Sequence, residues 1–571
     1  MRIFWASLAA WSAAVTCATF QAFFFHGLNS WIASFSILAG CLLGMTAFWT
    51  CRPAAQSKPP SPLEWLLLSI FAIASFRCFF WLLYPVQDNL CILSPYNLGD
   101  LALHIQLIRY FALGPPFWPE SPILSGTPLV YPVGGDLLNS ILLVLGIPLI
   151  QGLVWIGIIG ATLTAFALWQ WGRGFGLAAF LFAGGASGFT YLLKGNLDLF
   201  QEHVDWKNLF LAMLVTQRGL LYALPAGLGL LHAWRNEFDL KAEEKAQCHS
   251  SSEKIPLWLQ AIIYTTLPLF NVHAFLFLTL VLVSYFLFSG HPGTRKYSLA
   301  LLLIGTLPAA VEIYAVSGGF SGGGVFSFLP GWLQSGRPWQ FWWNNFGILP
   351  LLWVILLSLP SVHRKPSARC ILFAASLTFI GCCFFSLSPW AWDNTKFMIW
   401  GYLAIIPFLW KFLLRPLPCS LRTTLCIVFL FSGATALLGG LRSPGYTLIS
   451  LTELRNVEAS LNSLPPLSRF ATSTDYNHPV ALCGRKRVAG YEGHLWSHGL
   501  RYQPVLDKLN RLMNGENDWQ SLAHDLKTDF LFWGPREESR YPHSKKPWLK
   551  QTHLVSQSPS GMIYDLRQLN R

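Results

Sequence analysis

Charge is what this sequence has least of. Only 12% of its 571 residues are Asp, Glu, Lys or Arg, where an ordinary soluble domain carries about 25%. With 53% hydrophobic residues as well, a soluble globular protein is excluded over most of the length. Metal-type cysteine spacing is also missing. The 12 cysteines lie mostly in apolar stretches, as Cys41, Cys78, Cys382 and Cys383 do, and read as small core hydrophobes. Only Cys91 and Cys483 fall in polar segments assigned to the outside, and nothing in their spacing argues for a bond. No internal repeat is visible. What remains is a polytopic α-helical membrane protein, and its 26 Trp and 43 Phe suit side chains at membrane interfaces. No nucleic-acid partner is expected.

A membrane span needs about 20 apolar residues. On that rule about 13 transmembrane helices are expected, near 4–25, 29–50, 63–84, 149–171, 174–192, 209–234, 257–271, 273–289, 298–315, 346–361, 370–386, 397–414 and 423–440. The first is read as a retained span and not a signal peptide, because it is long for one and lacks a clear cleavage site. The two short ones, 257–271 and 273–289, read as a hairpin. Arg2, Arg52, Lys58, Arg173, Arg295, Lys296 and the basic residues of 235–254, 364–369 and 411–422 fall in alternate connections. Placing them inside satisfies the positive-inside rule for most short loops and puts the N-terminus in the cytoplasm. Lys194 and Lys207 are the exceptions. The tail from Arg442 onward is basic, 17 Lys and Arg against 12 Asp and Glu, but long domains cross largely regardless of charge.

The expected division is a membrane domain over 1–440, with a large outer loop at 85–148, and a small soluble α/β domain over 441–571 outside. Its β-like runs are R-F-A-T-S, H-P-V-A-L-C-G, D-F-L-F-W-G and G-M-I-Y-D-L. The charged, Ser-rich loop 236–256 reads as a solvated linker.

The polar residues of the outer loop are the strongest functional signal. Residues 96–136 hold Asp100, His104, Arg109, Glu120 and Asp136 among aromatics, prolines and glycines. Asp100 and His104 are four apart and share a helix face. Asp100 read as a general base competes with Asp100 read as the N-cap of a helix starting at Leu101. Farther along, Arg77, Arg218, His273, Glu312, Asp393 and Lys396 fall in or beside spans at one shared depth, just below the outer surface. Intramembrane charges mark function by default, so one outward cavity surrounded by all of them is expected. The segment 317–345, with its S-G-G-F-S-G-G-G run, its tryptophans and Arg337, reads either as a flexible lid beside that cavity or as an interfacial loop. Cations in such a cavity suit the phosphate of a lipid-linked donor, and a carboxylate suits the removal of an acceptor proton.

An outer loop with an early Asp, then a His, then G-P-P-F-W-P-E and Y-P-V-G, in a chain of about a dozen spans with a soluble outer tail, resembles the GT-C superfamily of polyprenyl- or dolichyl-phosphate-sugar-dependent glycosyltransferases. The resemblance covers roughly 63–440. It implies a lipid-linked sugar donor, a hexosyl or pentosyl transfer, and Asp100 at the catalytic centre with His104 beside it. The substrate-binding residues on this reading are Arg77, Arg218, His273, Glu312, Asp393, Lys396, Glu120, Asp136 and Arg337. Two features depart from the pattern. The connection after the first span is short and uncharged, and Asp100 has no acidic neighbour in sequence, so the family's metal dependence does not carry over and a divalent cation is left open. The run Y-E-G-H-L-W-S-H-G resembles outer tails of bacterial members but receives no chemistry. The expected partners are the lipid-linked donor, membrane lipids and a glycan, lipid or protein acceptor, in a bacterial inner membrane. Two other readings stand beside this one: a transporter or flippase for a lipid-linked or anionic substrate, and a non-catalytic envelope-assembly protein.

Overall fold

The computed structural model describes all residues except 53–58, 94–95, 195–203, 244–253, 321–325 and 571. The G-G-G part of the expected lid, Lys58 and much of the loop 236–256 lie outside the described residues.

Among the described residues eight helices are long and apolar enough to cross a membrane, or nine if the bent pair Pro338–Phe346 and Leu349–Ser358, which meet at 82°, is one span. The chain is a polytopic α-helical membrane protein, and the difference from 13 has physical causes. The expected spans 149–171 and 174–192 are joined through Leu149–Leu181, but Arg173 breaks the helix with φ 54° and ψ −148°. Beyond it the chain turns back, so that a Cβ on Gly176 would lie 2.7 Å from the Leu168 carbonyl oxygen. The expected hairpin is two short helices, Leu257–Phe270 and Val272–Phe288. Leu220–Glu243 is helical over 24 residues and buried along its apolar length, because other helices surround it in place of lipid.

Helix α1 (Arg2–Phe24) and α2 (Ser30–Thr50) pack closely. Gly40 and Gly44 bring the backbones together, and a Cβ on Gly40 would meet the Ala10 carbonyl oxygen at 2.8 Å. Small residues at such a spacing are how helices approach in lipid. Helix α3 (Pro62–Phe80) starts with a reciprocal Ser61–Glu64 cap, and Glu64 also pairs with Arg173 at 3.0 Å. Exposed Trp31, Leu303 and Leu307 lie on spanning helices, where lipid covers them.

At the far end of α3 the 85–148 loop begins. Strands β1 (Tyr84–Val86) and β2 (Asn89–Ile92) form a hairpin, and β2 pairs with Tyr446–Ser450 of the tail. Helices α4 (Leu98–Ala112) and α5 (Gly134–Val144) follow. The tail carries a mixed five-stranded sheet, in the order Lys486–Arg487, Arg469–Ala471, Phe530–Trp533, Gly561–Asp565 and His553–Ser558. Residues 122–125 of the loop lie along its first edge. Arg487 N–H donates to Pro122 O at 2.9 Å, Ser125 N–H to Val488 O at 2.9 Å and Gly490 N–H to Ile123 O at 2.7 Å. Glu120 is committed to the same seam, pairing with Arg469 and with Lys486 (3.1 Å). Cys91 and Cys483 are both free thiols.

Candidate active site

Helix α4 supplies the first wall. It begins at Leu98 with Asn97 as N-cap, three residues before the start expected from the sequence. Asp100 therefore stands in the first turn and is not the cap. Its carboxylate accepts from Gln217 Nε2 at 3.5 Å, the limit of hydrogen-bond reach. One turn on, His104 is 2% exposed, with Nδ1 2.9 Å from each carboxylate oxygen of Asp136. A carboxylate only accepts, so Nδ1–H donates and Nε2 is left as the ring's free polar atom.

The Y-P-V-G-G-D sequence places Asp136. A Cβ on Gly134 would lie 2.9 Å from Leu269 O, and one on Gly135 would lie 3.0 Å from Arg218 O. The two glycines let the first turn of α5 seat against both backbones. Ser140 Oγ then ties α5 to α4 through Ile108 O at 2.9 Å. Tyr131, from the same sequence, stands edge-on to His104 with ring centres 5.9 Å apart and lies 5.2 Å from His498.

The opposite wall comes from the W-A-W-D-N-T-K sequence. Asp393 and Lys396 pair at 3.0 Å. Trp390 stacks on Trp392 at 5.0 Å, and Trp392 Nε1 donates to Asp205 O at 2.9 Å. The tail domain closes the space from above with Tyr491, His494, Trp496 and His498. The cavity is about 520 Å³, within the roughly 300–1,000 Å³ of small-ligand sites.

Burial raises the Asp100 carboxyl above its usual range; Lys396 and His104 pull it down, and Asp393 pushes it further up. Burial presses the His494 ring down to about 3 and the His498 ring down to about 4, so both are neutral at ordinary pH. The cavity thus holds the Asp393–Lys396 pair, Lys207, the carboxyls of Asp100 and Asp205, both raised chiefly by burial, and the neutral imidazoles of His494 and His498.

Of the expected site residues, Asp100, His104, Asp393 and Lys396 line this cavity. Asp136 stands directly behind His104. Arg218 lies behind the wall at 2% exposure; its guanidinium finds no hydrogen-bond partner among the described residues, and Asp136 supplies the opposing charge. His273 packs against Phe397, ring centres 6.1 Å apart, next to Lys396 in sequence. The others stand elsewhere. Glu312 lines a separate apolar cavity with Phe20, Trp118 and Val311, because its helix, Pro292–Val316, packs against Val272–Phe288 and Leu257–Phe270, and it forms no pair with Arg218. Arg77 sits over the Trp81 ring at 5.7 Å. Arg337 is exposed at the start of Pro338–Phe346, and Glu120 is held in the seam described above. Among the described residues no three His, Cys, Asp or Glu side chains gather as a metal set.

Sequence reasoning missed Tyr131, Gln217, His494, His498 and the tryptophans 390, 392 and 496 as cavity residues. The repeated His and aromatic residues of Tyr491–Gly499 were the available signal, and only the fold shows which way they face.

No protein-family model matches the sequence, and no curated protein is similar to it by sequence. Solved structures similar to the chain include the apo form of the Archaeoglobus fulgidus oligosaccharyltransferase, at 12% identity over 82% of this chain and 69% of that one, with a TM-score of 0.46. Another is ArnT from Cupriavidus metallidurans bound to undecaprenyl phosphate, at 10% identity over 89% of this chain and 98% of that one, with a TM-score of 0.42.

Proposed function

We propose that the chain is a membrane glycosyltransferase of the GT-C type. It moves a hexosyl or pentosyl unit from a polyprenyl-phosphate donor to an acceptor on the outer side of a bacterial inner membrane, with inversion. The observation that carries this reading is the meeting of Asp100 with the Lys396–Asp393 pair in one aromatic-walled cavity under the tail domain.

The acceptor hydroxyl gives its proton to Asp100 as its oxygen attacks the anomeric carbon. The bond from that carbon to the donor phosphate oxygen breaks on the opposite face. Its electron pair leaves with the polyprenyl phosphate, whose negative charge Lys396 meets. Asp136 holds the His104 ring so that Nε2 accepts from a sugar or acceptor hydroxyl. Trp390, Trp392 and Trp496 offer flat faces to the sugar.

The test is transfer from a synthetic polyprenyl-phosphate sugar by purified wild-type and Asp100→Asn protein, with thermal stability measured in parallel. Since Asp100 stands inside the first turn and is not the cap, Asp100→Asn leaves the helix start intact. Loss of a general base costs about 10²–10⁴-fold in rate. Wild-type turnover by the variant would overturn the role of Asp100.

A further inference from the structure

The end of the helix bundle away from the cavity holds a second concave space of about 480 Å³. Its distance from the first is set by α3. Arg173, on its rim, pairs with Glu64 in the first turn of α3. That helix then rises about 28 Å over its 19 residues before the outer hairpin begins.

Among the described residues five cations line this pocket, Arg173, Arg235, Lys365, Lys411 and Arg415, against one acid, Asp239. Glu64 answers Arg173. Arg235 lies over the Trp171 ring at 4.5 Å and donates to Trp171 O at 3.2 Å. Lys411 and Arg415 have no carboxylate partner among the described residues. A preference for basic residues in the loops of one side accounts for their number, but not for their convergence on one cavity. Two irregularities of the backbone produce that convergence. Arg173 takes its left-handed φ of 54° at the break, and Leu409–Leu414, which carries Lys411, is a π-helix. Conformations of both kinds are costly or rare and gather at functional positions.

The pocket also has an apolar continuation. Trp410 and Arg415 line both it and an adjoining groove of about 660 Å³, walled by Leu63, Ile427 and Leu430 on the lipid-facing side of the bundle. A charged chamber that opens into an apolar groove matches a phosphate group bearing acyl chains.

We propose that this pocket binds a phosphate-bearing anion, namely the headgroup of an anionic membrane phospholipid whose chains lie in the adjoining groove. Arg and Lys gathered between membrane helices recognise such headgroups.

The experiment uses the full chain, purified in detergent and offered mixed micelles of phosphatidylcholine with or without phosphatidylglycerol. Bound lipid is counted by mass spectrometry of the intact protein. Wild type retains phosphatidylglycerol over phosphatidylcholine. Lys411→Gln with Arg415→Gln weakens that retention roughly 25-fold, each cation being worth about a factor of five. A control pair outside the pocket, Lys296→Gln with Arg364→Gln, leaves it unchanged. If the double variant does not fold, Lys411→Gln alone reads out a loss of about fivefold. Competition by millimolar inorganic phosphate that abolishes retention would keep the phosphate site and assign it to a soluble anion. Equal retention of the two lipids by wild type, or unchanged retention by the Lys411 variants, would overturn the proposal.

Discussion

Two histidine–carboxylate pairs of the same length stand in different surroundings. His478 Nε2 lies 2.9 Å from Glu537 in the core of the tail domain, and both side chains are fully buried. Every polar atom there is used. His478 Nδ1 accepts from Val480 N–H, and Glu537 also accepts from the N–H groups of Ser473 and Gly534. His104 and Asp136 are also 2.9 Å apart, but one edge of the pair faces a cavity, with Nε2 free and the unbonded guanidinium of Arg218 behind. A saturated pair fixes a fold. An unsaturated one keeps a hydrogen-bonding atom available to something not yet bound. The pairing itself says little about role; the count of remaining bonds says much more.

The sharpest way to break this comparison is Glu537→Gln. Removing a hydrogen bond to a buried charged group costs about 1.5–3 kcal/mol, so the tail domain should melt below the wild type. Protein that remains folded should turn over at the wild-type rate. Asp136→Asn should act on turnover. It removes the charge that faces the buried guanidinium of Arg218, so some stability is lost as well, but the folded variant should have kcat lowered about 10- to 100-fold, the worth of a hydrogen bond to a charged group. Stability and single-turnover kinetics on both variants decide between them. Wild-type turnover by folded Asp136→Asn protein would erase the distinction.

The two pairs should also separate by pH. As the proposed base Asp100 acts unprotonated, and its carboxyl is raised, chiefly by burial, so kcat/KM should fall as pH drops through a value above the ordinary carboxylate range. Asp393→Asn removes a neighbour that pushes Asp100 up and should move this limb to lower pH. In the tail, burial lowers the His478 ring. Burial opposes charge on Glu537 too, but His478 and its amide donors outweigh it and hold that carboxyl below its usual value. Both shifts mean that the unfolded chain takes up protons the native domain refuses, so stability should fall as pH drops below the ordinary His value of about 6.5. Asp393→Asn should leave that dependence in place. The smallest effect expected is from Trp390→Ala, which removes one flat face of the cavity and should raise KM about 2- to 10-fold with little change in kcat.

The membrane class, the outer loop and the sequences containing Asp100, His104, Asp393 and Lys396 were legible because composition and spacing carry them. Arg218 and Glu312 show where that stops. Both are charges at a similar inferred depth, yet one backs the cavity wall and the other lines a different space. Depth along a helix is readable from position, whereas azimuth depends on which neighbour the helix meets. Glu120 stands away from the cavity for a related reason. Its partners Arg469 and Lys486 lie in another part of the chain, and no local pattern announces a contact at that range. The tryptophans and histidines of the roof were visible as a cluster, but their direction is a property of the sheet beneath them.

The seam between the outer loop and the tail has a consequence for how the protein is made. Glu120 and Lys486 are 366 residues apart, and the loop is synthesised long before its partner edge exists. Until the final domain has been delivered to the same side, residues 122–125 have no strand to lie along and the cavity has no roof. Insertion of the last helix therefore does not complete the active site. Delivery of the tail does, and a chain stalled before that point would hold its acid, its lysine and an open chamber.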